Sequence, residues 1–156
     1  MTNYFKNKKV LVTGHTGFKG SWLSYWLLNL EAKVSGYSKD IPTEPSLFEQ
    51  LDLSKYLLYD FREDILNFNR LYECIKLIKP DIVFHLSAQS IVSKSYQNPL
   101  ETFSTNLIGS LNVFEVLRQT SIKSNVVFIT SDKCYENKEW IYGYRENDEL
   151  GGKDPY

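Results

Sequence analysis

The stretch Lys9-Val10-Leu11-Val12-Thr13-Gly14-His15-Thr16-Gly17-Phe18-Lys19-Gly20-Ser21 decides the fold. A β-branched and leucine run meets glycines at positions 14, 17 and 20, and the amphipathic segment Trp22 to Leu30 follows directly. Strand, glycine turn, helix is the context that makes a glycine pattern a nucleotide site rather than an ordinary connection. Gly14 suits the positive φ of a tight turn, Gly17 lets backbone N–H groups approach a pyrophosphate, and Gly20 lets the helix lie close on its strand. The helix then aims its partly positive N-terminus at the phosphates.

Outward from this turn, short apolar runs alternate with helical periodicity, the pattern of βαβ units around a parallel sheet. Strands are predicted at Val10–Thr13, Lys33–Tyr37, Tyr56–Tyr59, Ile82–Leu86 and Asn125–Thr130, and helices at Phe18–Leu30, Asn67–Lys79 and Pro99–Gln119. Asp40 to Ser54, with Pro42 and Pro45, reads as a loop with one helical turn near Leu47–Leu51. In the last helix Leu100, Phe103, Leu107, Leu111 and Phe114 form an apolar stripe that Ile108, Val113, Val116 and Leu117 widen. Such a stripe packs on a sheet, and its extra width leaves room for helix pairing. The polar, aromatic stretch Tyr135 to Asp154 has no periodicity and reads as a surface loop; Trp140, Tyr142 and Tyr144 suit it to covering a substrate.

With 156 residues the chain suits one domain, 1–156. Lys and Arg total 18 against 19 Asp and Glu, a net charge of −1 that makes no electrostatic case for nucleic acid or a membrane surface. The longest apolar run, Trp22 to Leu30, is too short to span a bilayer, and no signal-peptide pattern precedes the glycine turn. Cys74 and Cys134 are far apart, which fits a reducing cytoplasm, and with His15 and His85 as the two histidines there is no metal-ligand cluster. Cys74 reads as a small core residue and His85 as a packed, satisfied imidazole.

Gly-x-x-Gly-x-x-Gly preceded by Thr resembles the short-chain dehydrogenase/reductase superfamily, in the extended branch that acts on nucleotide sugars. The resemblance implies a Rossmann-like doubly wound parallel sheet with Gly14, His15, Thr16, Gly17, Phe18, Lys19 and Gly20 around the pyrophosphate of NAD. Ser38-Lys39-Asp40 follows the second strand where NAD enzymes of this branch often carry an acid, and a hydroxyl with a cation suits the 2′-phosphate of NADP instead. Asp60 and Phe61 resemble the pair at the adenine edge, although a capping or solvated Asp60 fits the residue type equally. Leu86, Ser87, Ala88 and Gln89 resemble the small-residue segment under the nicotinamide ribose, and Asn106 the branch's structural asparagine.

Thr130-Ser131-Asp132-Lys133-Cys134-Tyr135, with Asp154-Pro155-Tyr156, resembles the sugar-nucleotide 4,6-dehydratases of this branch, which carry Asp-Glu where this chain has Asp132-Lys133. The resemblance implies CDP-glucose as substrate, an internal redox cycle at C4, C5 and C6 of the hexose, and a place in deoxysugar biosynthesis. Tyr156 would be the base for the C4 hydroxyl, Ser131 would bond that oxygen, Asp132 would protonate the departing C6 hydroxyl and Lys133 would act on C5. An ammonium cannot remove a proton, so a base role for Lys133 needs the neutral amine; a salt bridge to Asp132 or to substrate is the alternative. Another dehydratase, a 4-epimerase or a non-catalytic dinucleotide-binding module are the competing readings. Tyr156 resembles the tyrosine of Tyr-x-x-x-Lys, so the chain is expected to be truncated before its last strands and the substrate-binding C-terminal region. Alone it is expected to be inactive, and at full length a homodimer.

Overall fold

Val10, Leu11 and Val12 have no exposed surface, because their strand lies at the centre of a sheet covered on both faces. The computed structural model describes residues 3–156. In chain order the elements are β1 (Lys9–Thr13), α1 (Phe18–Asn29), β2 (Lys33–Ser38), α2 (Leu47–Gln50), β3 (Tyr59–Arg62), α3 (Phe68–Ile78), β4 (Ile82–His85), α4 (Val92–Gln97), α5 (Pro99–Phe103), α6 (Gly109–Thr120) and β5 (Asn125–Phe128). All strand pairs are parallel and the order is β3-β2-β1-β4-β5. The chain winds outward from β1 to β3, then crosses to β4 on the other side of β1. The carboxyl ends of β1 and β4 therefore form the switch point, where an open α/β sheet opens its ligand crevice.

Alternation along β1 divides the core. Leu11 joins Tyr37, Leu71, Cys74, Ile75, Ile78, Val83, Val113 and Val116 beneath α3 and α6. Val10 and Val12 join Leu27, Val34 and Ile82 beneath α1. Each such side chain, fully buried, contributes about 1.5–3 kcal/mol before the entropy of ordering it is counted. Cys74 is buried there, and desolvation pushes its thiol up to about 11, as a packed, unreactive sulfur requires.

Four expectations are corrected. The third strand runs Tyr59–Arg62, not Tyr56–Tyr59: Tyr56 and Leu57 close a turn over Leu53 through 3.0 and 3.2 Å backbone hydrogen bonds, and pairing of Ser35 with Tyr59 sets the register. β4 and β5 stop at His85 and Phe128, shorter than expected. The helix α1 turns its small residues Gly20, Ser21 and Ser24, with Leu27, to the sheet and leaves Phe18, Trp22, Tyr25 and Trp26 exposed. The long helix from Pro99 contains a π-helical turn, Ser104–Ile108, and is preceded by α4, which the sequence pattern does not signal. Its core face is Gly109, Val113 and Val116, whereas Leu100, Phe103, Leu107, Leu111 and Phe114 are exposed.

Gly36 interrupts β2 because the His15 imidazole lies directly on it; an added Cβ would overlap the ring. Gly36→Ala is therefore expected to lose about 1–3 kcal/mol by overpacking, seen as a drop in Tm of about 2–4 °C per kcal/mol for a chain of this size. Gly143→Ala, with nothing within 4 Å of its Cβ, should stay within about 0.5 kcal/mol. Equal Tm values for the two variants would show that the imidazole is not held against β2.

Candidate functional site

The turn after β1 is built for close approach. Gly14 has φ +71, and a Cβ on it would stand 2.9 Å from the backbone of Leu86 and Ser87. A Cβ on Gly20 would overlap the Gly14 carbonyl, so α1 starts hard against the turn. Gly17 caps α1 without a side-chain hydrogen bond, and no acid stands in the first helical turn. Backbone N–H groups at this helix N-terminus thus remain available to an anion, next to a wall that side chains would have filled. These features fit the pyrophosphate of a dinucleotide.

Beside the turn runs a hydrogen-bond chain whose proton positions can be assigned by counting donors. Thr13 Oγ1 accepts from the Leu86 and Ser87 N–H groups, both at 3.2 Å, and lies 2.7 Å from His85 Nδ1. Ser110 Oγ donates to the Asn106 carbonyl at 2.6 Å and lies 3.1 Å from His85 Nε2. With the serine proton committed, Nε2 must be the donor to Ser110, and Nδ1 then accepts from Thr13. The ring is neutral, and burial pushes it down to about 4. Asn106, in the π-helical turn, accepts from Gln89 N at 2.8 Å and donates to Gln89 O at 3.1 Å. His85 is thus the satisfied imidazole the sequence suggests, and Leu86 to Gln89 are held from both ends.

At the other end of the crevice the expected adenosine residues are largely engaged with one another. Asp60 and Phe61 lie within β3 rather than after it. Asp60 Oδ1 meets His15 Nε2 at 2.8 Å and Arg62 Nε at 2.9 Å, and its Oδ2 accepts from the Arg62 guanidinium at 2.9 Å. These donors outweigh the desolvation that would raise its pKa and hold the carboxyl below the usual range. Phe61 stacks on Tyr59 with centroids 5.6 Å apart. The His15 side chain is fully buried and packs edge-on against Phe48, so it supports the turn from beneath instead of lining it. Phe18 and Lys19 are exposed at the start of α1. Ser38 Oγ lies 2.8 Å from Thr16 Oγ1, and Lys39 pairs with Asp64 at 3.4 Å. The hydroxyl and cation that suited a 2′-phosphate both have partners.

The strand-end residues of β4 and β5 open onto a cleft of about 370 Å³. It is lined by Ser87, Ala88, Asn106, Ser131, Lys133 and Tyr156 among others, which brings part of the expected ribose and catalytic sets together, while Leu86 and Gln89 lie outside the lining. Two details depart from expectation. Asp132 does not line the cleft; its carboxylate accepts from Ser131 Oγ at 3.2 Å. Lys133 pairs with Asp154 at 3.7 Å, not with Asp132. Asp154, with a side chain only 11% exposed, also lines the cleft, a place for which the sequence pattern assigns it no role. The loop from Tyr135 closes on itself through a Tyr135–Leu150 bridge, and Tyr135 and Tyr144 stack in it at 5.1 Å.

A glycine turn at the switch point of an all-parallel 3-2-1-4-5 sheet, beside a polar cleft, defines a Rossmann-like protein with a dinucleotide site. The family model described as GDP-mannose 4,6 dehydratase matches residues 11–156, and the chain belongs to that family. It is 51% identical over 154 residues to CDP-glucose 4,6-dehydratase of Salmonella typhimurium (strain LT2), covering 99% of this chain and 43% of the relative. UDP-glucose 4-epimerase of Thermus thermophilus, solved in complex with NAD, superposes with a TM-score of 0.80 at 26% identity over 94% of this chain and 45% of its own. UDP-glucose-4-epimerase from Stenotrophomonas maltophila, with bound NAD and formylated UDP-arabinopyranose, shows the same fold with a TM-score of 0.84 at 23% identity, over 96% of this chain and 44% of its own. The chain spans less than half the length of these relatives. Among the described residues no helix is long and apolar enough to cross a membrane.

The His85 assignment carries a pH signature. Its imidazole is depressed in the folded chain, from 6.5 to about 4, so between these values the unfolded chain binds a proton that the folded chain refuses. Stability is full above pH 6.5 and falls as pH drops toward 4, by about 3 kcal/mol from this group alone. Urea titrations across that range should show the wild type losing about this much more than His85→Gln. Parallel curves for the two proteins would contradict a buried neutral imidazole.

Proposed function

We propose that this chain is the dinucleotide-binding part of a cytoplasmic, NAD-dependent nucleotide-sugar 4,6-dehydratase that converts CDP-glucose to CDP-4-keto-6-deoxyglucose, a step of deoxysugar biosynthesis. The observation that carries the reading is the convergence of Ser131, Lys133 and Tyr156 with Ser87, Ala88 and Asn106 on one cleft at the strand ends. Its substrate is suggested by the 51% identity to a CDP-glucose 4,6-dehydratase.

The residues around the turn would hold NAD: Gly14 to Gly20 at the pyrophosphate, β3 and its end at the adenosine, and Leu86 to Gln89 under the nicotinamide ribose. When bound, NAD supplies reversible hydride transfer. The engagement of Ser38 with Thr16 and of Lys39 with Asp64 favours NAD over NADP, because a 2′-phosphate would have to displace both partners.

The chain's own residues then manage protons. Tyr156 takes the proton of the C4 hydroxyl while Ser131 bonds that oxygen; with the C4 hydrogen removed as hydride by the redox chemistry that NAD would supply, C4 would become a ketone and the C5 hydrogen acidic. Asp132 gives a proton to the departing C6 hydroxyl, after releasing its bond to Ser131, and Lys133 stands at C5. Positioning of these groups around a bound sugar is worth several orders of magnitude in rate. The exposed stripe Leu100, Phe103, Leu107, Leu111 and Phe114 pairs with its copy across a two-fold axis, the symmetry by which one apolar face covers itself.

Full-length protein, given NAD and CDP-glucose in heavy water, is expected to release a 4-keto-6-deoxy sugar with one solvent deuterium at C5. A C4 epimer formed without loss of water would establish the epimerase reading instead. In sedimentation velocity the full-length wild type should run as a dimer and Leu107→Glu as a monomer. A dimeric Leu107→Glu would remove the stripe from the interface.

A further inference from the structure

We propose that Asp154 is the catalytic residue that accepts the C5 proton, with Lys133 holding its carboxylate in place. The proposal rests on the dehydratase reading above and assigns a group that the Ser131-Asp132-Lys133 run does not contain. The Ser131-Asp132-Lys133 run holds one carboxylate, Asp132, which that reading uses as the acid. Another carboxylate stands beside Lys133 in space: Asp154 Oδ2 lies 3.7 Å from Lys133 Nζ, and Asp154, Lys133 and Tyr156 line the same cleft.

The backbone explains how residues 21 positions apart meet. Ser131 Oγ accepts from Lys133 N at 3.2 Å and caps the short turn Asp132–Cys134, which fixes where Lys133 departs. The loop that follows returns through hydrogen bonds from Glu136 N to Glu149 O and from Gly151 N to Cys134 O, both 2.9 Å. Gly152 then passes so near Lys133 that an added Cβ would stand 3.4 Å from its carbonyl. Two residues later the chain delivers Asp154, whose side chain is 11% exposed against 50% for Lys133.

Chemistry selects the carboxylate. The titratable groups lining the cleft are His85, Lys133, Cys134, Asp154 and Tyr156. Both His85 nitrogens are hydrogen-bonded, Tyr156 serves the C4 hydroxyl, a thiol is a weak acceptor and an ammonium is a donor only. Asp132, outside the lining, is held by Ser131 and serves as the acid. In the step proposed, the C5–H bond breaks to Asp154 and its electron pair forms the C5–C6 double bond as C6–O breaks. The hydroxyl leaves as water with the Asp132 proton. When hydride returns to C6, Asp154 gives its exchanged proton back to C5, which restores the carboxylate.

The test uses full-length protein with NAD and CDP-glucose in heavy water, and reads C4 oxidation as transient reduced cofactor and C5 chemistry as deuterium incorporation. Asp154→Asn should keep C4 oxidation within a few-fold and lose C5 exchange by about a hundredfold or more. Lys133→Met should retain exchange within about tenfold, since the cation only orients the base. Asp154→Ser serves as the second variant if Asn at this position does not fold, and added formate should restore part of its exchange. Retained C5 exchange in the folded Asn or Ser variant, or loss in Lys133→Met alone, would overturn the proposal. Absence of C4 oxidation in the wild type would instead overturn the dehydratase reading, and this proposal with it.

Discussion

The hydrogen bond between Thr13 Oγ1 and His85 Nδ1, 2.7 Å long, joins the two strands at whose ends the crevice opens. Thr13 and His85 are register partners in β1 and β4, so this side-chain bond reinforces the ladder at the ends of the two strands, beside the backbone bond from Leu86 N to Thr13 O. It has consequences in both directions. Through the Leu86 and Ser87 amides, Thr13 holds the segment after β4, and through Ser110 the imidazole reaches the long helix. A fully satisfied buried network of this kind specifies one arrangement, whereas leaving either hydroxyl without its partner would cost about 1–3 kcal/mol. The π-helical turn Ser104–Ile108 belongs to the same construction. It carries Asn106, whose amide makes reciprocal bonds with Gln89, while Ser110 satisfies the Asn106 carbonyl.

A second network supports the glycine turn from below. His15 is pinned between Gly36, Phe48 and Asp60, and Asp60 is in turn clasped by Arg62. The turn therefore has two foundations: one toward β4, through Thr13 and His85, and one toward β2 and β3, through His15 and Asp60. Gly14 and Gly20 keep the turn close to the Leu86–Ser87 backbone and to the start of α1, where a Cβ would collide. The Arg62 guanidinium also lies 4.7 Å over the Phe48 ring, which ties the helical turn α2 to the same edge of the sheet.

What the sequence revealed and what it hid have separate physical causes. The strand, glycine turn and α1 were legible because Thr13 to Gly20 combines a period with residues whose steric reasons are local. The position of β3 was not, because Leu57 and Leu58 look like strand while the ladder with β2 rewards Tyr59 to Arg62. Small residues hid the packing face of α1: aromatic rings draw the eye, but Gly20, Ser21 and Ser24 permit the close approach to the sheet. In the long helix, a π-helical turn shifts the face by one residue, so a simple 3.6-residue count across it misplaces the stripe. Ser87, Ala88, Ser131 and Lys133, next to strand ends, share one cleft because the topology brings those ends together. The partner of Lys133 was missed because it arrives by the closure of a loop, and no periodicity announces such a contact.

If the bond between Thr13 and His85 organises the crevice, the imidazole must be a single neutral tautomer. Nitrogen NMR of the protein with 15N-labelled histidine, assigned with His85→Gln, reads that state directly at neutral pH. Nδ1 should appear as an unprotonated acceptor and Nε2 as the N–H donor to Ser110, with no change between pH 8 and pH 6. A protonated Nδ1, or an imidazolium within that range, would contradict the account.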